Sequence, residues 1–104
     1  MQLFTINYVP GKEIEALGIV TGNVVQCKHI GKDIMAGLKN IAGGEIRSYT
    51  DLLNESRVIA RDRIIAEAEA MGADAIISVR FDADSIMDGT NEILAYGTAV
   101  KVKE

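Results

Sequence analysis

The chain has 104 residues, a usual length for one domain, and 48% of them are hydrophobic while 25% are charged. This composition excludes an intrinsically disordered chain and predicts a packed core. The formal net charge of −4 argues against a nucleic-acid partner. No apolar stretch reaches the roughly 18 residues that a membrane helix needs. We therefore expect one cytoplasmic domain over residues 1–104, with neither nucleic acid nor a membrane as a partner.

The first half of the chain predicts two strands and a short helix. Leu3–Tyr8 is typical of a short edge strand, and Pro10-Gly11 after it indicates a turn. Ile19–Lys28 is rich in β-branched residues and predicts a second strand. In Asp33–Ile41 apolar residues recur every three or four positions, which predicts a helix that ends at Gly43-Gly44.

The second half predicts one long helix followed by a hairpin. The helix should run from Ser48 to Met71, because Gly72 follows as an end signal. Ala75–Phe81 alternates between apolar and polar residues and predicts a strand. The polar segment Asp82–Glu92 predicts a loop, and Ile93–Val102 predicts the last strand.

The long helix carries apolar residues on two sides. At about 100° per residue, one stripe suits packing on a sheet, and a second stripe lies a quarter turn or more away. The first stripe consists of Leu53, Ala60, Ile64, Ala68 and Met71, and the second of Leu52, Ile59, Ala66 and Ala70. One sheet cannot easily cover both, so we expect a homo-oligomer in which another subunit helps to bury the helix.

The best candidate metal ligands are Cys27 and His29. Residues two apart on a strand point to the same face, so a thiolate and an imidazole there can bind one divalent or heavy-metal ion. Zinc takes about four ligands, or three and a water, and the chain has one cysteine and one histidine. Carboxylates or the same pair from neighbouring subunits must complete the site. The alternative is a buried cysteine beside a surface histidine.

Other chemistry receives less support from the sequence. Cys27 and His29 lack the third group that a nucleophilic site needs, so we expect no enzyme. The segment Asp82–Gly89 begins like a calcium loop, but Met87 stands where that loop requires glycine. Three arginines on the long helix, Arg57, Arg61 and Arg63, are typical of a solvated face with local charge pairing. The alternative for Arg57 or Arg63 is a salt bridge between subunits or an anion site.

Several short motifs occur together in one order along the chain. They are Gly43-Gly44-Glu45, Tyr49-Thr50, Gly72-Ala73-Asp74-Ala75, Val79-Arg80-Phe81-Asp82 and Tyr96-Gly97-Thr98-Ala99. With these motifs the chain resembles the YbjQ-like family of small bacterial and archaeal proteins, which is described as heavy-metal-binding. The resemblance extends over nearly the whole chain.

The resemblance implies a dodecin-like α+β subunit. Its antiparallel sheet would pack on one long helix plus a short helix, and the subunits would form a pentameric ring. The function expected is non-enzymatic binding of a heavy-metal ion, and the cofactor is otherwise unknown. Two alternatives stay open. One is a small-molecule-binding ring with clefts between subunits lined by Tyr49, Arg57 and Tyr96, and the other is a structural or adaptor homo-oligomer.

Overall fold

The structure, a computed structural model, describes residues 1–27 and 47–103. Five elements follow one another along this part of the chain. They are β1 (Gln2–Leu3), β2 (Glu13–Cys27), α1 (Arg47–Ala70), β3 (Ala75–Met87) and β4 (Thr90–Lys103). The short helix predicted at Asp33–Ile41 and the glycine pair after it lie outside the described residues.

The long helix is confirmed to within one residue at each end. Its 24 residues span about 36 Å at about 1.5 Å per residue. It ends as predicted at Gly72, which has a φ of 78° and therefore adopts the left-handed conformation that glycine tolerates best. The amide of Ala73 donates to the carbonyl oxygen of Ala68 at 3.0 Å, and that of Gly72 to Glu69 at 3.0 Å. These two bonds form a Schellman cap.

The four strands form one mixed sheet in the order β1-β3-β4-β2. The pairs β2–β4 and β3–β4 are antiparallel, whereas β1 runs parallel to β3. The expectation of a purely antiparallel sheet was therefore wrong at one edge. The predicted strand Leu3–Tyr8 is also shorter than expected, but its pairing continues, since the amide of Ser78 donates to the carbonyl oxygen of Ile6 at 2.8 Å.

The segment predicted as a loop, Asp82–Glu92, is mostly strand. β3 continues to Met87, and β4 begins at Thr90 after a two-residue turn at Asp88-Gly89. The polar residues of β3 from Asp82 onward are exposed. Polar side chains on both faces of a strand remove the alternation that marks a half-buried strand, so the sequence pattern missed this part of the hairpin.

The main core lies between α1 and one face of the sheet. Buried residues from the helix, Ala60, Ile64 and Ala68, pack on Val20 and Val24 of β2 and on residues of β3 and β4. A smaller cluster lies on the opposite face near one end of the sheet. It consists of Val9, Ala75, Ile77 and Val100, with Phe4 and Ile14 packed against it.

The two predicted stripes of the helix differ in burial. In the first stripe Ala60, Ile64 and Ala68 are fully buried, as predicted, whereas Met71 is 40% exposed at the end of the helix. In the second stripe Leu52 and Ile59 are half-buried, and Ala66 and Ala70 are exposed. The described part of the subunit therefore covers the second stripe incompletely.

Side chains of α1 bind the edge of β2 that pairs with no described strand, near the middle of β2. The guanidinium of Arg63 donates to the carbonyl oxygen of Asn23, and the amide of Thr21 donates to Glu67 Oε2 at 3.4 Å. Unpaired backbone groups on an edge strand invite pairing with another chain, and these two contacts satisfy part of that edge.

Among the described residues no helix has the length and hydrophobicity needed to cross a membrane.

A β-bulge in β3 redirects the strand at Ser78. Ile77 pairs with Thr98 and Arg80 with Tyr96, so Ser78 and Val79 together oppose Gly97. Ser78 has a φ of 53°, which is the left-handed region where a bulge of this kind normally carries glycine. A Cβ on Gly97 would lie 2.9 Å from the carbonyl oxygen of Ile77. The bulge therefore depends on the missing side chain of its cross-strand partner.

Candidate functional site

One of the two predicted metal ligands, Cys27, has its backbone at one end of the sheet. Cys27 is the last residue of β2, and its backbone pairs with Thr90 at the start of β4. The Cys27 side chain and His29 lie outside the described part of the chain. The two residues therefore stay predictions, and no distance joins them to other ligands.

Two carboxylates lie across from each other near this end of the sheet. Asp84 pairs in register with Glu92, and Glu92 pairs with Val25, two residues before Cys27. Directly opposed side chains on antiparallel strands have Cβ atoms about 5 Å apart, a separation at which like charges destabilise a sheet. Among residues 1–27 and 47–103, no group of three or more histidine, cysteine or acidic side chains could hold a metal ion.

The segment Asp82–Gly89 is not a calcium loop. Asp82 and Asp84 belong to the extended strand β3, and the chain turns only at Asp88-Gly89. A calcium loop brings its ligands around one ion by curving tightly, whereas strand residues two apart lie side by side on one face. The extended strand adds to the sequence argument that Met87 stands where a calcium loop requires glycine.

The three arginines of α1 that the sequence singled out have different environments. Arg57 donates to Asn54 Oδ1 at 2.9 Å within the helix, which fits the expected local pairing. Arg63 reaches the edge of β2 at Asn23. Arg61 lines a cavity and has no hydrogen bond or ion pair with any other described residue. Sequence spacing alone did not separate these three roles.

That cavity has a volume of about 520 Å³ and lies between α1, β3 and the N-terminal segment. Its described lining combines apolar side chains with Gln2, Thr5 and the guanidinium of Arg61. The lining residues are Met1, Gln2, Leu3, Phe4, Thr5, Arg61, Val79 and Phe81. No sequence motif predicts this site, because its walls come from three distant parts of the chain.

Arg57 and Tyr96, two of the cleft residues of the small-molecule alternative, lie on opposite sides of the sheet. Tyr96 alternates with Ala95, which is buried beneath α1, so Tyr96 lies on the opposite face of the sheet. Arg57 is exposed on α1, on the helix side. The side chain of Tyr49 lies outside the described residues. A cleft that contains Arg57 and Tyr96 therefore requires two subunits.

The sheet face opposite α1 carries an uncovered strip, which we call the open face. From β2 it includes Ile19 and Val25, whose side chains are 77% and 53% exposed. From β4 it includes Leu94 and Tyr96, both half-buried. No described element packs on this strip, so large apolar side chains face solvent in the isolated subunit.

Comparison with known proteins identifies the family. The family model for YbjQ, described as "Putative heavy-metal-binding", matches residues 1–103. The chain belongs to the YbjQ family. The UPF0145 protein of Colwellia psychrerythraea is 59% identical to this YbjQ-family chain over 101 residues, which are 96% of each protein. A UPF0145 protein of Fervidobacterium nodosum is 59% identical over 105 residues, covering 100% of this chain and 97% of the relative.

A solved structure supports the fold of this YbjQ-family chain. A protein of unknown function from Pediococcus pentosaceus, assigned to the DUF74 family, superimposes with a TM-score of 0.71 at 14% sequence identity. The superposition covers 99% of this chain and 98% of the other. At this identity the likeness concerns the fold alone.

Several motifs that carried the resemblance to the YbjQ family have structural roles. Asp74 accepts a hydrogen bond from the amide of Val102 at 2.8 Å and an ion pair from Lys101 at 3.6 Å, so it attaches the turn after α1 to the end of β4. Arg80 donates to the carbonyl oxygen of Thr5 at 2.9 Å and holds the N-terminal segment on β3. Gly97 accommodates the bulge at Ser78. These residues stabilise the subunit and leave its ligand chemistry open.

Proposed function

We propose that this YbjQ-family protein is a non-enzymatic, cytoplasmic homo-oligomer, a pentameric ring, that binds a heavy-metal ion. The observation that carries the oligomer is the open face, where Ile19 and Val25 are more than half exposed. Burial of apolar surface contributes about 25 cal/mol per Å², so a strip of this kind favours association with another copy.

The shape of the subunit also supports an assembly. A compact domain of about 100 residues has a radius of gyration of about 13 Å, whereas this chain has 17.3 Å. The 15 residues of β2 extend for about 50 Å at about 3.3 Å per residue, which is longer than the helix that packs on them. Neighbouring subunits would cover the parts of the sheet that α1 does not reach.

The proposed metal site uses Cys27 and His29 from more than one subunit. One chain offers one thiolate and one imidazole, fewer than the ligands that zinc requires. A symmetric ring repeats this pair in each subunit. The carboxylates of Asp84 and Glu92 lie near the same end of the sheet in the strand register and are further ligand candidates.

Calorimetric titration with zinc tests the metal site directly. The parent protein should bind zinc in a fixed ratio to subunits, and the variants Cys27→Ala and His29→Ala should lose that binding. Asp62→Ala serves as the control, because Asp62 is exposed on α1, away from this end of β2. Zinc binding by Cys27→Ala with the parent's affinity would rule out the assigned ligands.

The small-molecule alternative rests on a different observation, the placement of Arg57 and Tyr96 on opposite sides of the sheet. A ring could bring Arg57 of one subunit to Tyr96 of the next. A small molecule that co-purifies with the parent and is lost from Tyr96→Ala would favour this function over metal binding.

A further inference from the structure

The cavity exists because α1 does not cover the whole sheet. The helix packs mainly on β2 and β4 and touches β3 little. Two residues of β3 that face the helix side, Val79 and Phe81, therefore contribute to an uncovered wall. The N-terminal segment, held to β3 by the bond from Arg80 to Thr5, forms the opposite wall. The site is thus built by ordered elements on three sides.

The lining of the cavity has the chemistry of a ligand site. Small-molecule sites in proteins usually have volumes of about 300–1,000 Å³ and combine apolar walls with a few polar groups, and this cavity has about 520 Å³. Leu3, Val79 and Phe81 provide the apolar surface. Phe81 is 42% exposed, which is a large fraction for an aromatic side chain beside a hydrophobic core.

Among the described residues that line the cavity, Arg61 supplies the only charged side chain. A guanidinium offers five donors and binds carboxylates in a bidentate way. The other two arginines of this helix that the sequence singled out have acceptors, Asn54 Oδ1 for Arg57 and the Asn23 carbonyl oxygen for Arg63. Within the described part of the chain Arg61 has none, so its donors are available to a ligand.

We propose that this cavity binds a small amphipathic carboxylate. The carboxylate pairs with Arg61, and the apolar body packs on Leu3, Val79 and Phe81. No described lining residue is acidic, which supports a monoanion over a cation. This site is separate from the proposed metal site, since Cys27 ends β2, which lies two strands away from β3 in the sheet.

Calorimetry with sodium octanoate and with 1-octanol tests the proposal. The parent should bind octanoate saturably, and Arg61→Gln should weaken that binding at least about tenfold, because a hydrogen bond to a charged group is lost. The same variant should leave the weaker binding of octanol unchanged, since octanol has no charge to pair. Phe81→Ala should weaken the binding of both octanoate and octanol.

The control variant is Arg57→Gln, which changes the same residue type on the same helix, one turn away and outside the cavity. It should bind octanoate like the parent. Equal weakening by Arg57→Gln and Arg61→Gln, or no saturable octanoate binding by the folded parent, would overturn the proposal. Thermal unfolding of Arg61→Gln confirms that the variant is folded, and because Arg61 is exposed the substitution should not affect the core.

Discussion

Gly22 of β2 lies directly against the backbone of α1 at Ile64. A Cβ atom on Gly22 would be 2.5 Å from the backbone nitrogen of Ile64 and would also collide with the carbonyl oxygen of Ala60. Backbone atoms of a helix cannot move away as a flexible side chain can. The helix therefore packs closely on the sheet because this position has no side chain.

We expect Gly22→Ala to lower the free energy of unfolding by about 1–3 kcal/mol or more, the usual cost of overpacking a core. Urea denaturation measures the change. Asn23→Ala is the control, because the Asn23 side chain is exposed and Arg63 contacts only its carbonyl oxygen. It should stay within about 0.5 kcal/mol of the parent. A parent-like midpoint for Gly22→Ala would show that the helix can shift without cost.

Ser78→Gly should be neutral or stabilising by up to about 1 kcal/mol. The left-handed conformation costs an L-residue about 1–2 kcal/mol, and glycine removes this strain while adding backbone entropy to the unfolded chain. Ser85 lies in the same strand and is not among the described non-glycine residues with a positive φ, so Ser85→Gly should destabilise the protein by about 0.5–1 kcal/mol. Thermal unfolding measures the stability of both variants. A larger loss of stability in Ser78→Gly than in Ser85→Gly would contradict the strained conformation assigned to Ser78 in the bulge.

Asp74→Ala should destabilise the subunit by about 1–2 kcal/mol. The substitution removes the acceptor for the amide of Val102 and also removes the ion pair with Lys101. Both interactions are exposed to solvent, which limits their contribution to stability. Glu69→Ala changes an exposed acid on α1 whose side chain has no partner among the described residues, and should cost less than about 0.5 kcal/mol. Chemical denaturation measures the free energy of unfolding of both variants. Equal values for Asp74→Ala and Glu69→Ala would mean that the contacts of Asp74 do not stabilise the subunit.

Ile19→Lys should dissociate the proposed oligomer while leaving the subunit folded. Ile19 is 77% exposed, so a lysine costs the isolated subunit little but introduces a charge into an interface on the open face. Val58→Lys makes a matched change at a residue that is 55% exposed on α1, and it should not alter the assembly. Sedimentation velocity measures the size of the assembly that each variant forms. If Ile19→Lys assembles like the parent, the interface between subunits does not include the open face.

The sequence predicted the elements in which pattern and packing agree. The ends of α1 followed from its apolar stripe and from Gly72, and the start of β3 at Ala75 was correct. β2 begins at Glu13, six residues before the predicted start at Ile19. A register shift between Ala16 and Gly18 interrupts its pairing with β4. Such a shift breaks the two-residue alternation on which strand prediction depends.

The candidate sites were less accessible to prediction from the sequence. Cys27 and His29 could be proposed because they are close in sequence, and they stay a prediction. The cavity depends on Leu3, Arg61 and Phe81, which come together only through the parallel pairing of β1 and the position of α1 over β2 and β4. Neither feature has a local sequence signal, so Arg61 could not be distinguished from its neighbouring arginines.

Native mass spectrometry, before and after incubation with zinc or copper, tests the proposed function most directly, because it reports the number of subunits and the bound metal together. We expect a pentamer that gains metal in a fixed ratio to subunits, with the gain lost in Cys27→Ala. A monomer, or an oligomer that stays free of metal at saturating zinc and copper, would contradict it.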